Sequence, residues 1–346
     1  TSVTAVDTET GKVVWSRQLI HHDIWDYDVG SPPMLLQHPE IGKGAPAVVQ
    51  ATKMGHLFLL NRETGDPLYP VEERPVPQHG VPGEKLSPTQ PFPTHPESIH
   101  STEIGKVGLT PIDRYLCEQE LKKYRWDGIF TPPSLEGSIT FPGPSGGMNW
   151  SSAALDPASG ILVTTQTHLL WMTQLLPRAA AEKKTLSGDE RGKQFVLQEG
   201  TPYAAFRFPI LSPLGTPCSP TPWGSLTAVD LKSGKVLWRR SLGTTRDLAP
   251  FPIWAESGTP NFGGAMITAG GLAFATGSTD HFLRAYDLHS GDLLMKIRTD
   301  GLVSTVPSTY RLDGSQRQYL VGGMAGSSIK NGSFGEAVYR MVAYAL

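Results

Sequence analysis

The sequence predicts an all-β protein of the β-propeller class, and three observations carry that reading. The first is internal repetition. Ala5-Val6-Asp7-Thr8-Glu9-Thr10-Gly11-Lys12-Val13-Val14-Trp15 returns as Ala228-Val229-Asp230-Leu231-Lys232-Ser233-Gly234-Lys235-Val236-Leu237-Trp238, with weaker copies at 60–69, 155–160 and 285–295. Repeats of this kind mark arrays of one supersecondary unit. The second is composition: 37 Gly and 30 Pro in 346 residues favour a turn-rich chain over a helical one. The third is a set of short apolar runs at strand length, at Ala47–Ala51, 56–61, 161–165, 272–276, Phe282–Asp287 and 318–321.

Each repeat reads as a strand ending in an acidic residue or Asn, a tight turn closed by Gly, and a second strand. The Gly supplies positive φ and the Asp or Asn caps the turn. The closing glycines are Gly11, Gly65, Gly160, Gly234 and Gly291, each expected between the outer strands of a blade. Trp15 and Trp238, four residues after their Gly, are expected as aromatic pegs buried between neighbouring blades. The glycines are 54 to 95 residues apart, whereas a blade takes roughly 40–50. Long insertions therefore separate the blades: one at 70–103, rich in Pro, His and Ser, and one at 169–222, with a mixed run at 178–184 and prolines from 209 to 222. Insertions of this length over a rigid scaffold line a site or meet a partner. Within 113–124, Tyr115, Leu116, Gln119 and Lys123 fall at helical spacing, so a short helix is predicted there.

The densest chemistry lies in His21-His22-Asp23-Ile24-Trp25-Asp26-Tyr27-Asp28. In an extended chain His22, Ile24, Asp26 and Asp28 share one face and Asp23, Trp25 and Tyr27 the other. A carboxylate beside aromatic rings loses hydration, which raises its pKa toward that of a usable base. A polar loop that caps a strand is the competing reading of the same residues.

Composition excludes several classes. A net charge of −2 gives no electrostatic case for nucleic acid or an anionic membrane surface. No run of 18 apolar residues is present, so this chain does not span a bilayer as a helix. Cys117 and Cys218 form no C-x-x-C pair, which excludes zinc and thioredoxin-type motifs; whether they pair with each other is left open by spacing alone. The first residue is Thr1 and no signal peptide is visible, so the chain reads as a piece of a longer protein.

The repeated A-x-D-x-x-[TS]-G-x-x-x-W element resembles the tryptophan-docking motif of quinoprotein alcohol and sugar dehydrogenases. The H-x-D-x-W-D pattern ending at Asp26 is similar to that family's active-site strand. So are Thr52-Lys53-Met54-Gly55-His56 and Gly146-Gly147-Met148-Asn149-Trp150. Gly128-Ile129-Phe130-Thr131-Pro132-Pro133-Ser134 and Ser278-Thr279-Asp280-His281-Phe282-Leu283-Arg284-Ala285-Tyr286 look like its membrane-bound glucose/quinate/shikimate branch. The resemblance runs over the whole chain, with the motifs in order. It implies an eight-bladed propeller with pyrroloquinoline quinone (PQQ) near the axis beside Ca²⁺ or Mg²⁺. Here five or six blades can be counted, so residues 1–346 are expected to be the C-terminal portion of one propeller domain, with upstream blades and any membrane anchor outside it.

The resemblance implies roles residue by residue. Asp26 matches the catalytic aspartate, which also helps to hold the metal. Lys53 matches the basic residue that hydrogen-bonds the reactive quinone oxygens. The two are expected on successive strands of one blade's inner rim. Asn149 is placed at the PQQ, and Asp280 matches an acidic residue near the cofactor. Phe262 stands where alcohol-oxidising relatives have a Trp under the cofactor ring. His21, His22 and Asp23 are expected to shape the substrate pocket, and Trp25 to pack in the core. The branch often carries a His or Arg in a glycine-rich turn near the C terminus; here 322–330 has no His, and Lys330 is displaced. Glucose, quinate, shikimate and other polyols therefore all stay open as substrates. The implied acceptor is ubiquinone, at the periplasmic face of the bacterial inner membrane. Two other readings compete. A non-catalytic propeller scaffold, like the outer-membrane barrel-assembly lipoprotein, has no need of an Asp26–Lys53 pair. A heme-containing relative would need C-x-x-C-H, which this sequence lacks.

Overall fold

A repeated turn, solved the same way each time, organises the chain. In the computed structural model, which describes residues 1–150, 153–181, 192–247, 249, 254–314, 316–330 and 333–345 (of 325–338 the backbone alone), the segment before each turn carries an Asp or Asn. The Asp7, Asp230 and Asp287 carboxylates accept backbone N–H groups of Thr10 at 2.7 Å, Lys232 at 3.0 Å and Ser290 at 2.8 Å. Gly11, Gly65, Gly160, Gly234 and Gly291 all have positive φ, and each donates its N–H back to the carbonyl of the acid or Asn four residues earlier. The ladder also slips at one place in three repeats, between Ala5 and Val6, Ala228 and Val229, and Ala285 and Tyr286. Such bulges raise local twist.

Antiparallel strands form five blade-like sheets. The first pairs β1 (Ser2–Val6) with β2 (Val13–Gln18). The second has β3 (Met34–Leu36), β4 (Ala47–Ala51) and β5 (Leu57–Asn61). The hairpin β6 (Val71–Pro75) and β7 (Thr89–Pro93) follows, then helix α1 (Pro111–Leu121) and strand β8 (Ser138–Thr140). The third blade starts with β9 (Ala153–Asp156) and β10 (Ile161–Thr167). The chain then leaves it to build β11 (Trp171–Pro177), β12 (Gln194–Val196) and β13 (Tyr203–Pro209). These join β8 in a separate sheet of order β12-β13-β11-β8. It returns as β14 (Gly224–Asp230) and β15 (Lys235–Ser241), completing the order β9-β10-β14-β15. The fourth blade runs β16 (Ala265–Ile267), β17 (Leu272–Ala275), β18 (Phe282–Asp287) and β19 (Leu293–Arg298), and the fifth β20 (Ser308–Arg311), β21 (Gln318–Lys330) and β22 (Ser333–Ala345).

Blades are pegged to one another through the Gly turns. The Trp15 indole lies against Gly65, where a Cβ would come within 2.6 Å of the ring, and its Nε1 donates to the Arg62 carbonyl at 3.0 Å. Trp238 repeats this on Gly291, at 2.5 Å, with Nε1 donating to Leu288 O at 2.9 Å. Arg17 and Arg240, two residues beyond each Trp, donate Nε to the Gly65 and Gly291 carbonyls at 3.1 and 2.8 Å. Trp238 is buried as expected, whereas Trp15 is half-buried because the first sheet has two strands around it. The third peg is not a Trp. His95 covers Gly234, its Nε2 donating to Leu231 O at 2.8 Å, and Tyr69, four residues after Gly65, stacks on His95 at 4.0 Å.

Two expectations are corrected and one open question is answered. Gly160 joins β9 to β10, at the opposite edge of its sheet from the Gly234 turn, so the five turns do not share one position. Helix α1 ends at Leu121 and buries Asp113 and Cys117, leaving Tyr115 exposed; its inward face is set by its start, where Thr110 caps the Asp113 N–H at 3.1 Å. Cys117 and Cys218 form a disulfide, which ties α1 to the insertion. Part of the 178–184 run, from 182 on, lies outside the described residues.

Three histidines are buried in the core near Lys53. His56 has no hydrogen-bond partner on either ring nitrogen among the described residues. His100 stacks on His168 at 4.4 Å, and His168 Nε2 meets Ser225 Oγ at 2.8 Å. Burial disfavours the imidazolium and lowers His56 to about 3, His100 to about 4 and His168 well below its usual value.

Two predictions follow from this packing. Gly291→Ala should cost more stability than Gly11→Ala, because both meet the left-handed penalty of roughly 1–2 kcal/mol but only the Gly291 position overlaps an indole. Urea titration of both variants tests this, and equal losses would mean the peg tolerates displacement. The histidines set an acid limit. Unfolded, each binds a proton near pH 6.5; folded, His56 and His100 do so only near 3 and 4. Stability contributed by their neutral forms is therefore full above about pH 6.5 and lost as pH falls toward 4, with a slope of about 1.4 kcal/mol per pH unit for each histidine. His56→Phe should remove one histidine's share of that slope between pH 6 and 4.5, and an unchanged slope would show that His56 is already protonated in the fold.

Candidate active site

The Asp26 loop is not a strand. Residues 21–30 run as irregular chain between the first and second blades, and His22 and Asp26 have positive φ, 44° and 67°. The alternating faces expected of an extended segment do not form. Asp23 determines the path instead: its Oδ1 accepts the N–H of Trp25 at 3.0 Å and of Tyr27 at 3.1 Å. Trp25 and Tyr27 then turn inward together, stacked 6.1 Å apart against Phe130. Trp25 Nε1 donates to Thr131 O at 2.8 Å and the Tyr27 hydroxyl to Ile129 O at 3.1 Å. With both aromatics anchored, Asp26 and Asp28 are left on the other side.

Lys53 meets them there. It sits in the β4–β5 turn rather than on a strand, and is 3% exposed. Its Nζ donates to Asp26 Oδ1 at 2.9 Å and pairs with Asp28 Oδ1. The Gly146-Gly147 turn lies on the Lys53 backbone: Gly147 N donates to Lys53 O at 2.5 Å, and a Cβ on Gly146 would fall 2.7 Å from Lys53 Cγ. Only glycine permits that approach. Asn149 follows in the same turn, and its Oδ1 lies 3.1 Å from where a Cβ on Gly30 would stand. Its amide closes its own turn, Nδ2 donating to Ser145 O at 2.8 Å and Oδ1 accepting the Trp150 N–H at 2.9 Å. Asp26 and Lys53 are thus in direct contact, and Asn149 stands in the turn that lies on Lys53.

A residue that no motif announced completes the group. Arg207 of β13 donates Nη1 to Asp26 Oδ2 at 2.8 Å. It is 181 residues from Asp26 in sequence, and the alternation of 203–209 was its only signal. Burial pushes the Asp26 carboxyl up, but hydrogen bonds from Lys53 and Arg207 and the Lys53 charge outweigh it and hold the group below its usual value. The elevated base expected from aromatic neighbours is found at Asp23 instead, where burial raises the carboxyl.

The remaining expected residues lie elsewhere or are engaged. His21 Nε2 pairs with Glu73 at 2.9 Å and His22 Nε2 with Glu84 at 2.7 Å, so both hold the β6–β7 hairpin to the loop. Asp23 lines an open cavity of about 360 Å³ with Ile24, Val81, Pro82, Leu175 and Tyr203, between the loop and the insertion. Asp280 is fully buried and pairs with Arg284, while Ser278 Oγ donates to its Oδ1 at 2.6 Å and Thr244 N to its Oδ2 at 3.0 Å. Those contacts do not include Asp26, Lys53 or Asn149. Phe262 is 55% exposed beside the close Gly263–Gly277 contact. The Lys330 side chain lies outside those described.

The donor set suits an anionic quinone in part: a buried ammonium, a guanidinium and an amide stand beside a glycine cradle. Asp26 and Asp28 offer hard oxygen ligands of the kind Ca²⁺ or Mg²⁺ takes. Among the described residues no group of three or more His, Cys, Asp or Glu could hold a metal ion, so Asp26 and Asp28 do not form a metal site by themselves.

Comparison with known proteins identifies the family. Residues 1–320 match the family model described as "PQQ: Glucose/ethanol/alcohol dehydrogenase, beta-propeller domain". The chain is 34% identical over 360 residues to a quinoprotein glucose dehydrogenase of Escherichia coli (strain K12), covering all of this chain and 44% of that protein. It is 37% identical over 331 residues to a probable quinate dehydrogenase (quinone) of Xanthomonas campestris pv. juglandis, covering 92% and 42%. The chain therefore spans less than half the length of these relatives. The solved quinohemoprotein alcohol dehydrogenase from Comamonas testosteroni superposes with a TM-score of 0.58 at 22% identity, covering 99% of this chain and 42% of that one, and so shares the fold. Sequence repeats, blade docking and these matches together place the chain in the PQQ-dependent glucose/ethanol/alcohol dehydrogenase β-propeller family.

Proposed function

We propose that this chain carries the base and the quinone-orienting cation of a PQQ-dependent oxidation of a sugar or cyclic polyol hydroxyl to a carbonyl, of glucose, quinate or shikimate type. The observation that supports it is the Lys53 ammonium, buried between Asp26 and Asp28 under a glycine cradle. A scaffold gains nothing from a buried cation held between two carboxylates. PQQ, when bound beside a divalent cation, supplies the electrophilic carbon that accepts the hydride. Asp26, ionised, takes the hydroxyl proton of the substrate. Lys53 orients the quinone oxygens by charge and hydrogen bonding. Asn149 adds an amide contact to the cofactor, and Asp26 shares the Ca²⁺ or Mg²⁺. Asp280 and Phe262 belong to this proposal as more distant cofactor neighbours, and His21, His22 and Asp23 as the frame of the substrate pocket.

Electrons pass in this reading to ubiquinone, at the periplasmic face of the inner membrane. The Cys117–Cys218 disulfide supports an oxidising compartment. No helix among the described residues is long and apolar enough to cross a membrane, so the proposal puts membrane attachment in a segment outside this chain.

The test is turnover of the full-length protein with added PQQ and Ca²⁺ or Mg²⁺, read by dye-linked oxidation of glucose, quinate and shikimate. Asp26→Asn keeps the shape but cannot take the proton, so turnover should fall about 10²–10⁴-fold, with cofactor affinity falling less. Lys53→Ala should weaken both, and Lys53→Arg should retain part of each. Near-normal turnover in Asp26→Asn at saturating cofactor would move the base to another carboxylate.

A further inference from the structure

We propose that Arg207, held by Gln194, is the positioning residue for the Asp26 base: it anchors one carboxylate oxygen so that the other is free for the substrate when Lys53 serves the cofactor. This rests on the function proposed above. Asp26 receives two cations on two different atoms, Lys53 on Oδ1 and Arg207 on Oδ2. A base that must accept a proton on one oxygen needs its other oxygen fixed. Lys53 cannot do this alone, since the role proposed for it is to orient the quinone. Arg207 can, because its direction is set from behind. Its Nε donates to Gln194 Oε1 at 2.6 Å, and the β12–β13 ladder places Gln194 directly opposite Arg207.

The anchorage continues into the core. Phe206, the preceding residue, packs in the cluster that contains Cys117 and Cys218, so the insertion sheet is fastened to α1 where Arg207 leaves it. Arg207 makes one hydrogen bond to the carboxylate and one to Gln194 rather than a two-pronged pair with Asp26. Both prongs on one carboxylate would occupy both oxygens. A single contact leaves Oδ1 to the substrate hydroxyl: the O–H bond breaks and an Oδ1–H bond forms, while Arg207 stays on Oδ2.

A readout that needs neither cofactor nor turnover tests this. Water-soluble carbodiimide modifies protonated carboxyls, so the pH at which Asp26 is half-labelled, mapped by peptide mass spectrometry in the cofactor-free full-length protein, reports its ionisation. Arg207→Gln should move that pH up, because a hydrogen-bonded cation is removed from Oδ2. Arg207→Lys should move it less because charge persists, and Gln194→Ala should shift it in the same direction by a smaller amount. In the loaded enzyme, Arg207→Gln should lower turnover by about 10²-fold with little change in KM, as misplaced groups do, and raise the acid limb of the rate profile. Arg207→Lys should recover part of the rate. If Arg207→Gln does not fold, Arg207→Lys and Gln194→Ala decide. Unchanged labelling in folded variants overturns the proposal, as does unchanged turnover. A shifted labelling profile in a protein that oxidises no polyol supports the clamp and counts against the proposed function alone.

Discussion

The Lys53 ammonium is almost wholly buried, and a buried cation without counter-charges costs several kcal/mol. Much of the surrounding chain answers that cost. Asp26 and Asp28 reach it only because the loop turns through a left-handed Asp26, and the loop turns there because Asp23 caps it and Trp25 and Tyr27 pin it to the 129–131 carbonyls. The Gly146-Gly147 turn closes over the lysine stem, and no other residue would fit against that backbone. The aromatics flanking the acids are thus anchors; burial raises the Asp23 carboxyl, whereas at Asp26 the same burial is outweighed by Lys53 and Arg207.

The scaffold delivers these parts from three places: the loop from between the first and second blades, Lys53 from the second, and Arg207 from the insertion leaving the third. Their mutual distances therefore depend on how the blades dock. The docking rule is physical rather than residue-specific: a flat ring covers a Gly turn and donates one N–H to a carbonyl at the turn. Trp15 and Trp238 meet it, and so does the His95 imidazole, backed by Tyr69.

This explains what was legible in the sequence. Trp15, Trp238 and the five glycines recur at fixed offsets, so they and the strand runs around them could be read directly. His95 stands 30 residues beyond Gly65 and has no repeat partner, so nothing local revealed it as a peg. The cluster of Asp26 and Lys53 was legible because each sits in its own dense motif. Arg207 was not, since it comes from a strand with no motif and reaches Asp26 only through tertiary packing. His21 and His22 were legible as polar and close, but sequence could not show that Glu73 and Glu84 of the β6–β7 hairpin engage them.

Asp26 and Asp280 show why residue type alone could not rank the candidates. Both are aspartates paired with an arginine, and both also accept other hydrogen bonds. Asp280 is fully buried, and its two oxygens are taken up by Arg284, Ser278 and Thr244, which lock the β17–β18 turn to the 244 backbone. That arrangement is complete, and a further ligand would have to displace a buried contact. The Asp26 side chain is 38% exposed, with one donor on each oxygen and each donor held by a different element. A carboxylate oxygen offers more than one acceptor site, so Asp26 keeps accessible lone pairs while staying ionised. An acid in a closed ion pair stabilises a fold, whereas one whose charge is satisfied on both oxygens and whose side chain stays partly exposed keeps lone pairs that can accept a proton.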